Sequence, residues 1–259
     1  MLPSRPVIPP RAIRIVQLSD LHLTARVGGR VYFADVWRNL DRVLAHVAAQ
    51  HAAADRIVLT GDLASSGSAD AYARLAERLA PFHERVRLVP GNHDRRERLR
   101  AAFPRAWPAA NDRLAFADEV GGWRLVGLDS AWAGHVRGQL DAKQLQWLRS
   151  VLARDARPWL LFVHHPPVPV HTWWLDKDLP RELDALRAVL AANAPRAIFA
   201  GHVHHAFDGE LCGAPVATAP AVAYQYGPRT WLPLPRSRVP ALRVIEAGAA
   251  GVTSRVEQC

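Results

Sequence analysis

Short apolar runs alternate along this chain with stretches of helical periodicity, and nearly every run stops at a side chain able to bind a metal. The runs are IRIVQLSD (13–20), RIVLTGD (56–62), VRLVPGNHD (86–94), WRLVGLDS (123–130), WLLFVHH (159–165) and AIFAGHVHH (197–205). APVATAP (214–220) and ALRVIEA (241–247) have the same character. Runs this short, rich in β-branched residues and leucine and followed by turn residues, predict buried strands. Between them, DVWRNLDRVLAHVAAQ places Val36, Leu40, Val43, Leu44 and Val47 on one helical face, and ADAYARLAERLAPF does so with Tyr72, Leu75, Leu79 and Phe82. LDAKQLQWLRSVL opens on a capping signature: Asp141 at the N-cap, Gln144 at N3, and Leu140 with Leu145 as a hydrophobic staple. RELDALRAVLAAN supplies a fourth helix that stops before Pro195.

Strands and helices in alternation predict an α/β fold with helices packed on the sheet faces. Neither a repeat nor a linker breaks the pattern, so residues 1–259 read as a single domain. Residues 1–12 form an extended N-terminal arm, and 206–259 supply C-terminal strands and loops. Segments 104–122 and 206–259 are less regular and are expected to hold loops and edge strands.

Composition adds a bias in partners. Lys plus Arg number 33 against 24 Asp plus Glu, a formal charge of +9, which favours anionic partners such as phosphate esters, nucleic acid or anionic lipid. Apart from RRERLR (95–100) the basic residues are scattered, as on any solvated surface. Cys212 and Cys259 make neither a disulfide framework nor a zinc spacing, which fits a reducing cytoplasm. MLPSRPVIPPRA lacks the apolar centre of a secretory signal, and no apolar run approaches the length of a membrane span.

The chemistry sits where the runs stop: Asp20 and His22, Asp62, Asn92-His93-Asp94, His164-His165, and His202 with His204. Singly, each has a structural reading. An Asp caps helices or closes turns, and Gly-Asp and Gly-Asn suit tight turns. Two histidines at alternate positions of an extended segment point the same way and can reach neighbouring metals. Together they are hard to explain separately, since an unpaired buried charge costs on the order of several kcal/mol. Ligands of open α/β sheets gather outside the carboxyl ends of strands, and a shared binuclear cation site there would stabilise all of these groups at once.

In this order, Asp20-Leu21-His22, Gly61-Asp62, Gly91-Asn92-His93-Asp94, His164-His165 and Gly201-His202-Val203-His204 resemble the motif series of the calcineurin-like metallophosphoesterase superfamily. LSDLHL, FVHHPPVP and the Trp-Leu-Asp at 174–176 look most like bacterial class III 3′,5′-cyclic-nucleotide phosphodiesterases. Arg137-Gly138-Gln139-Leu140 departs from their His-Gly-Glu-Leu, and KDLPRE stands where they often carry an Asn. The resemblance implies a four-layer α-β-β-α sandwich with two metal ions. One would be held by Asp20, His22, Asp62 and His204, the other by Asp62, Asn92, His164 and His202. Asp62 would bridge, because a carboxylate offers two oxygens. Oxygen and imidazole donors without a thiolate suit Fe, Mn, Co or Zn rather than Ca.

The implied reaction is hydrolysis of a phosphodiester by in-line attack of a metal-bridging hydroxide. His93 is the candidate general acid or transition-state stabiliser, and Asp94 either holds its ring or caps the following helix. Asn92, His93, Arg95 and Trp174 are candidate substrate contacts; Arg96 could meet the same anion, and Trp173 or Trp174 could line the pocket rim, pack in the core or meet a second protomer. His165 and His205 are expected to point away from the metals in structural roles. The expected substrate is a 3′,5′-cyclic nucleotide such as cAMP. Glycerophosphodiesters and 2′,3′-cyclic nucleotides are the alternative, and a nuclease or non-catalytic scaffold of this fold is more remote. A small phosphodiester, no nucleic-acid polymer, no membrane span, an optional homodimer and a cytoplasmic location complete the expectation.

Overall fold

The structure, a computed structural model, describes residues 10–107 and 113–259; most of the expected N-terminal arm lies outside them. Two sheets stack face to face. The first holds β1 (Ile13–Leu18), β4 (Arg56–Thr60), β5 (Val86–Val89), β14 (Ala241–Gly248) and β15 (Gly251–Gln258), in the order β15-β14-β1-β4-β5. The second holds β6 (Phe116–Val120), β7 (Trp123–Leu128), β8 (Trp159–Val163), β9 (Ala197–Ala200), β10 (Phe207–Leu211) and β11 (Ala214–Thr218), in the order β10-β11-β9-β8-β7-β6. β1, β4 and β5 run parallel, as do β7, β8, β9 and β11; β6, β10, β14 and β15 are antiparallel to their neighbours. Two short ribbons complete the strands: β2 (Arg30–Val31) with β3 (Ala34–Asp35), and β12 (Gln225–Tyr226) with β13 (Pro235–Ser237).

The pleat of the second sheet shows why both of its faces need cover. Leu160, Phe162 and Phe199 enter the core shared with the first sheet, whereas Leu161, Val163, Ile198 and Ala200 enter a separate core. Helices α4 (Ala142–Leu152) and α6 (Leu183–Ala192) close that outer core with Leu145, Leu148, Leu186 and Val189. Helices α1 (Val36–Gln50) and α2 (Ala69–Leu79) cover the first sheet through Trp37, Leu40, Val43, Tyr72 and Leu75, and α3 (Arg96–Ala102) adds Leu99. A fully buried side chain of this size contributes about 1.5–3 kcal/mol. This is the expected four-layer α-β-β-α sandwich, and α5 (Trp173–Asp176) is a single turn at its rim.

Buried polar side chains fix the sheets relative to each other near the carboxyl ends of the strands. Gln17 Nε2 on β1 donates to Ala200 O at the end of β9, 3.0 Å away. Arg243 on β14 donates to Thr218 O at the end of β11 at 2.9 Å and 3.2 Å. At the far end of α1, His46 and His51 both reach one carboxylate oxygen of Glu257, at 2.9 Å and 2.8 Å, tying the helix to β15.

Asp141 caps α4 as the sequence predicts, accepting from Gln144 N at 2.8 Å. The reciprocal half of the capping box is absent. Gln144 instead turns inward, accepting from Asp129 N and donating to Asp129 O, so it holds the loop after β7 rather than the N-cap.

Candidate metal centre

The strands stop earlier than their apolar runs suggest. β1 ends at Leu18, β4 at Thr60, β5 at Val89, β8 at Val163 and β9 at Ala200. All seven expected ligands therefore lie on the loops just beyond these ends. Five of them hold left-handed backbone: Asp20 (φ 54°), His22 (φ 45°), Asp62 (φ 51°), His202 (φ 71°) and His204 (φ 54°). Such conformations are costly for residues with a Cβ and persist where the surroundings impose them. The expectation that GHVHH stays extended is thus corrected: it is a bent loop in which His202 and His204 are aimed by backbone reversal, not by strand alternation.

Loop-to-loop hydrogen bonds hold these turns. Asp20 N donates to Gly61 O at 3.0 Å, His22 N to Asp62 O at 2.8 Å, and Gly201 N to His164 O at 2.9 Å. Close approach is essential at two glycines. A Cβ on Gly91 would collide with the Asp62 carboxylate, and one on Gly201 with the Ser19 hydroxyl.

Asp62 is the hub. Its Oδ1 accepts from His93 N at 2.8 Å. Its Oδ2 stands 3.5 Å from His164 Nε2, 3.7 Å from His22 Nε2 and 3.9 Å from His93 Nε2. On one side, Asp20, His22 and His204 bring their donor atoms within 4.8 Å of one another; on the other, Asp20, Asp62 and His164 do the same. Asn92 Oδ1 lies 3.1 Å from His164 Nε2. The structure thus brings all of these expected ligands together, with His202 4.6 Å from the His165 ring and 5.2 Å from the His164 ring.

Outer contacts leave the inner atoms free. Asp20 Oδ2 accepts from Ser19 Oγ at 2.6 Å and His202 N at 3.0 Å, and its Oδ1 has no hydrogen bond although fully buried. His164 Nδ1 meets Thr60 O at 2.7 Å and His204 Nδ1 meets Tyr224 O at 3.0 Å, so each ring donates outward and keeps its Nε2 lone pair for the centre. His202 Nε2 is likewise buried without a partner. His22 Nε2 and His204 Nε2 face each other at 3.0 Å. Orphaned acceptors aimed at one point, carried by imidazoles and carboxylates, fit a divalent cation pair.

The electrostatics agree. Burial pushes His22 and His202 down to about 3, which leaves them neutral and fit to ligate. Burial also acts against the charge on Asp20, yet His204 and His164 hold it at about 2. His164 is the exception: burial lowers it, but Asp62 beside it outweighs this and lifts it to about 9, so a cation would have to displace the proton from its Nε2 before that atom could ligate.

Asp94 takes neither expected role. Its carboxylate accepts from Gly91 N (2.8 Å), Leu63 N (3.1 Å), Ala64 N (3.2 Å) and Tyr72 Oη (2.8 Å). Arg95 holds the N-cap position of α3 and makes no side-chain cap bond. The His93 ring is held by Ser65 O at 2.9 Å instead, with 45% of its side chain exposed to the cleft. Four donors that arise from two ligand loops and α2 claim Asp94 first.

Trp174 lines the cleft beside the centre with Val136, Tyr224 and Tyr226, while Trp173 is exposed. Arg95 is exposed and packs against Gly67. Arg96 is engaged by Asp129 and Ala131 O, so it is held away from a substrate. His165 is fully buried between Ser130 Oγ at 2.8 Å and Val136 O at 2.8 Å, and His205 bonds Val203 O. Tyr224 and Tyr226 went unread in the sequence; their alternate spacing was the available signal. Their rings lie 4.6 Å and 4.9 Å from that of His204, and Tyr226 meets Trp174 edge-on at 4.9 Å.

Comparison with known proteins agrees with this geometry. The chain is 35% identical over 219 residues to the 3′,5′-cyclic adenosine monophosphate phosphodiesterase CpdA of Pseudomonas aeruginosa, covering 84% of this chain and 79% of that protein. It is 36% identical over 221 residues to the cAMP/cGMP dual specificity phosphodiesterase MT0825 of Mycobacterium tuberculosis, covering 81% and 67%. Among solved structures, the purple acid phosphatase PPD1 from yellow lupin seeds shares the fold, with a TM-score of 0.68 at 11% identity over 97% of this chain and 52% of that one. The sequence matches the calcineurin-like phosphoesterase family across residues 13–206, and the chain belongs to that family.

Proposed function

We propose that this metal-dependent phosphodiesterase hydrolyses 3′,5′-cyclic nucleotides at a two-cation centre that Asp62 would help to hold. The observation that carries the reading is the placement of the Asp62 hub at the floor of a cleft walled by Trp174, Tyr224 and Tyr226. Aromatic rings along the wall suit a nucleobase, and the centre beside them suits the phosphoryl group. The similarity to cyclic-nucleotide phosphodiesterases points the same way.

Asp20, His22, Asp62 and His204 would hold one cation, and Asp62, Asn92, His164 and His202 the other; Fe, Mn, Co and Zn all suit these donors. When bound, the pair supplies Lewis-acid charge for the phosphoryl oxygens and lowers the pKa of a coordinated water. The chain's own residues do the rest. Ser19, Thr60 and Tyr224 fix the orientation of Asp20, His164 and His204 through the contacts above. Because His93 Nδ1 donates to Ser65 O, its Nε2 carries a proton only in the imidazolium form. That proton would serve the leaving oxygen. Replacing His93 with Ala is expected to lower kcat by roughly 10²–10⁴ while both metals stay bound. Elemental analysis that finds a metal lost would instead make His93 a ligand.

The deciding experiment is a substrate panel on metal-reconstituted protein: cAMP, cGMP, 2′,3′-cyclic nucleotides, glycerophosphodiesters and a p-nitrophenyl diester. Preference for the 3′,5′-cyclic compounds by kcat/KM supports the reading. Preference for glycerophosphodiesters would move the substrate, and turnover of monoesters alone would remove the diesterase assignment.

A further inference from the structure

Among the described residues ten large apolar side chains are exposed, and nine of them fall in segments that border the cleft; Val256 is the exception. Val27, Tyr32 and Phe33 belong to the loop and ribbon that follow ligand His22. Trp231, Leu232 and Leu234, exposed by 82%, 62% and 60%, form the tip between β12 and β13. The two segments touch: Arg238, just past β13, donates from Nε to Tyr32 O at 2.8 Å, and its guanidinium lies 5.7 Å from the Phe33 ring. Trp173 joins them by donating to Trp231 O at 3.3 Å. Soluble proteins scatter such residues, so their concentration at one end requires a cause.

Charge identifies the partner. Segments 24–34 and 227–239 contain Arg26, Arg30, Arg229, Arg236 and Arg238, all exposed, and no Asp or Glu. A second copy docked symmetrically would set these arginines against themselves. Single-stranded nucleic acid would use the aromatic rings but gains little from the aliphatic tips Leu232, Leu234 and Val239. A surface that is anionic and has hydrocarbon just beneath it uses both. Trp and Leu enter the interfacial layer while arginine stems lie along it and their guanidiniums meet phosphates. No described helix is long and apolar enough to cross a membrane, so contact of this kind would be peripheral.

We propose that this rim is a docking surface for an anionic lipid bilayer, with the 231–234 tip and Tyr32-Phe33 inserted at headgroup depth. The proposal does not depend on which diester is cleaved. Sedimentation with vesicles of phosphatidylcholine, alone or with about one-third phosphatidylglycerol, tests it on the full chain. The wild-type protein is expected to pellet with the anionic vesicles and at least about tenfold less with neutral ones. Trp231→Ser with Leu232→Ser and Leu234→Ser is expected to weaken binding more than about tenfold. Arg236→Gln with Arg238→Gln should weaken it by about 25-fold, near fivefold for each arginine, and flatten its salt dependence. All these side chains are exposed, and a circular dichroism melt matching wild type confirms intact folding. Absence of pelleting, equal binding to neutral vesicles, or variants that bind like wild type would each overturn the proposal. So would light scattering that shows a dimer dissolved by the 231–234 variant in protein that ignores vesicles, since the surface would then belong to a second copy.

Discussion

Asp62→Ala is expected to abolish diester hydrolysis, lowering kcat/KM by at least about 10³-fold, and to reduce bound metal measured by elemental analysis. Three imidazole nitrogens stand between 3.5 Å and 3.9 Å from a single oxygen of this carboxylate. Asp20 also borders both groups of donors, but it turns one of its oxygens to Ser19 Oγ and His202 N and so offers only the other. Removing Asp62 takes away the negative charge that holds His164 high and that two cations would share. Several kcal/mol of transition-state stabilisation depend on that charge, and about 1.4 kcal/mol corresponds to each tenfold in rate. Asp62→Asn keeps the shape and one neutral oxygen, so it should retain more metal than the alanine variant and still turn over poorly. Normal turnover by Asp62→Ala with a full metal complement would sink the binuclear mechanism.

Most of this centre was legible because its chemistry interrupts apolar runs. Buried strands give continuous hydrophobic stretches, so an Asp or His at their carboxyl end stands out. What stayed hidden had specific causes. Edge strands were expected in segments 104–122 and 206–259, and β6, β10 and β15 are such strands, but their positions stayed hidden because FADEV, FDGEL and GVTSRVEQ expose polar residues and lose the apolar signal. Left-handed backbone at five ligand positions is imposed by contacts between loops far apart in sequence, and no local pattern reports it. The RRERLR stretch looked like a candidate anion site, yet Asp129, 33 residues further on, claims Arg96. Tyr224 and Tyr226 follow β11 in a segment whose relation to the histidines exists only once Tyr224 O accepts from His204 and Tyr226 N donates to His204 O.

Asp94→Ala is expected to lower stability by about 3–5 kcal/mol, a fall in Tm of roughly 10 °C for a domain of this size. The side chain is 7% exposed and is the common acceptor for three backbone amides and the Tyr72 hydroxyl. Each buried donor left unpaired costs about 1–3 kcal/mol, reduced where water or a small shift can replace the partner. Burial and the charge of Asp62 raise the Asp94 carboxyl to about 6 even against these donors, so the group is held in place at some electrostatic cost. The donors come from the loop after β4, which carries Asp62, from Gly91 beside Asn92, and from α2. Loosening them separates the loops that carry Asp62 and Asn92, the proposed ligands, and a loss of about 10–100-fold in metal affinity or kcat/KM should accompany the fall in Tm. Tyr72→Phe removes one donor and also leaves Arg95 N without the hydroxyl it meets at 3.0 Å. A double-mutant cycle between the two positions should therefore show coupling of about 1 kcal/mol or more. If Asp94→Ala instead melts with wild type and only kcat falls, Asp94 acts on the reaction directly, and the role the sequence suggested beside His93 returns.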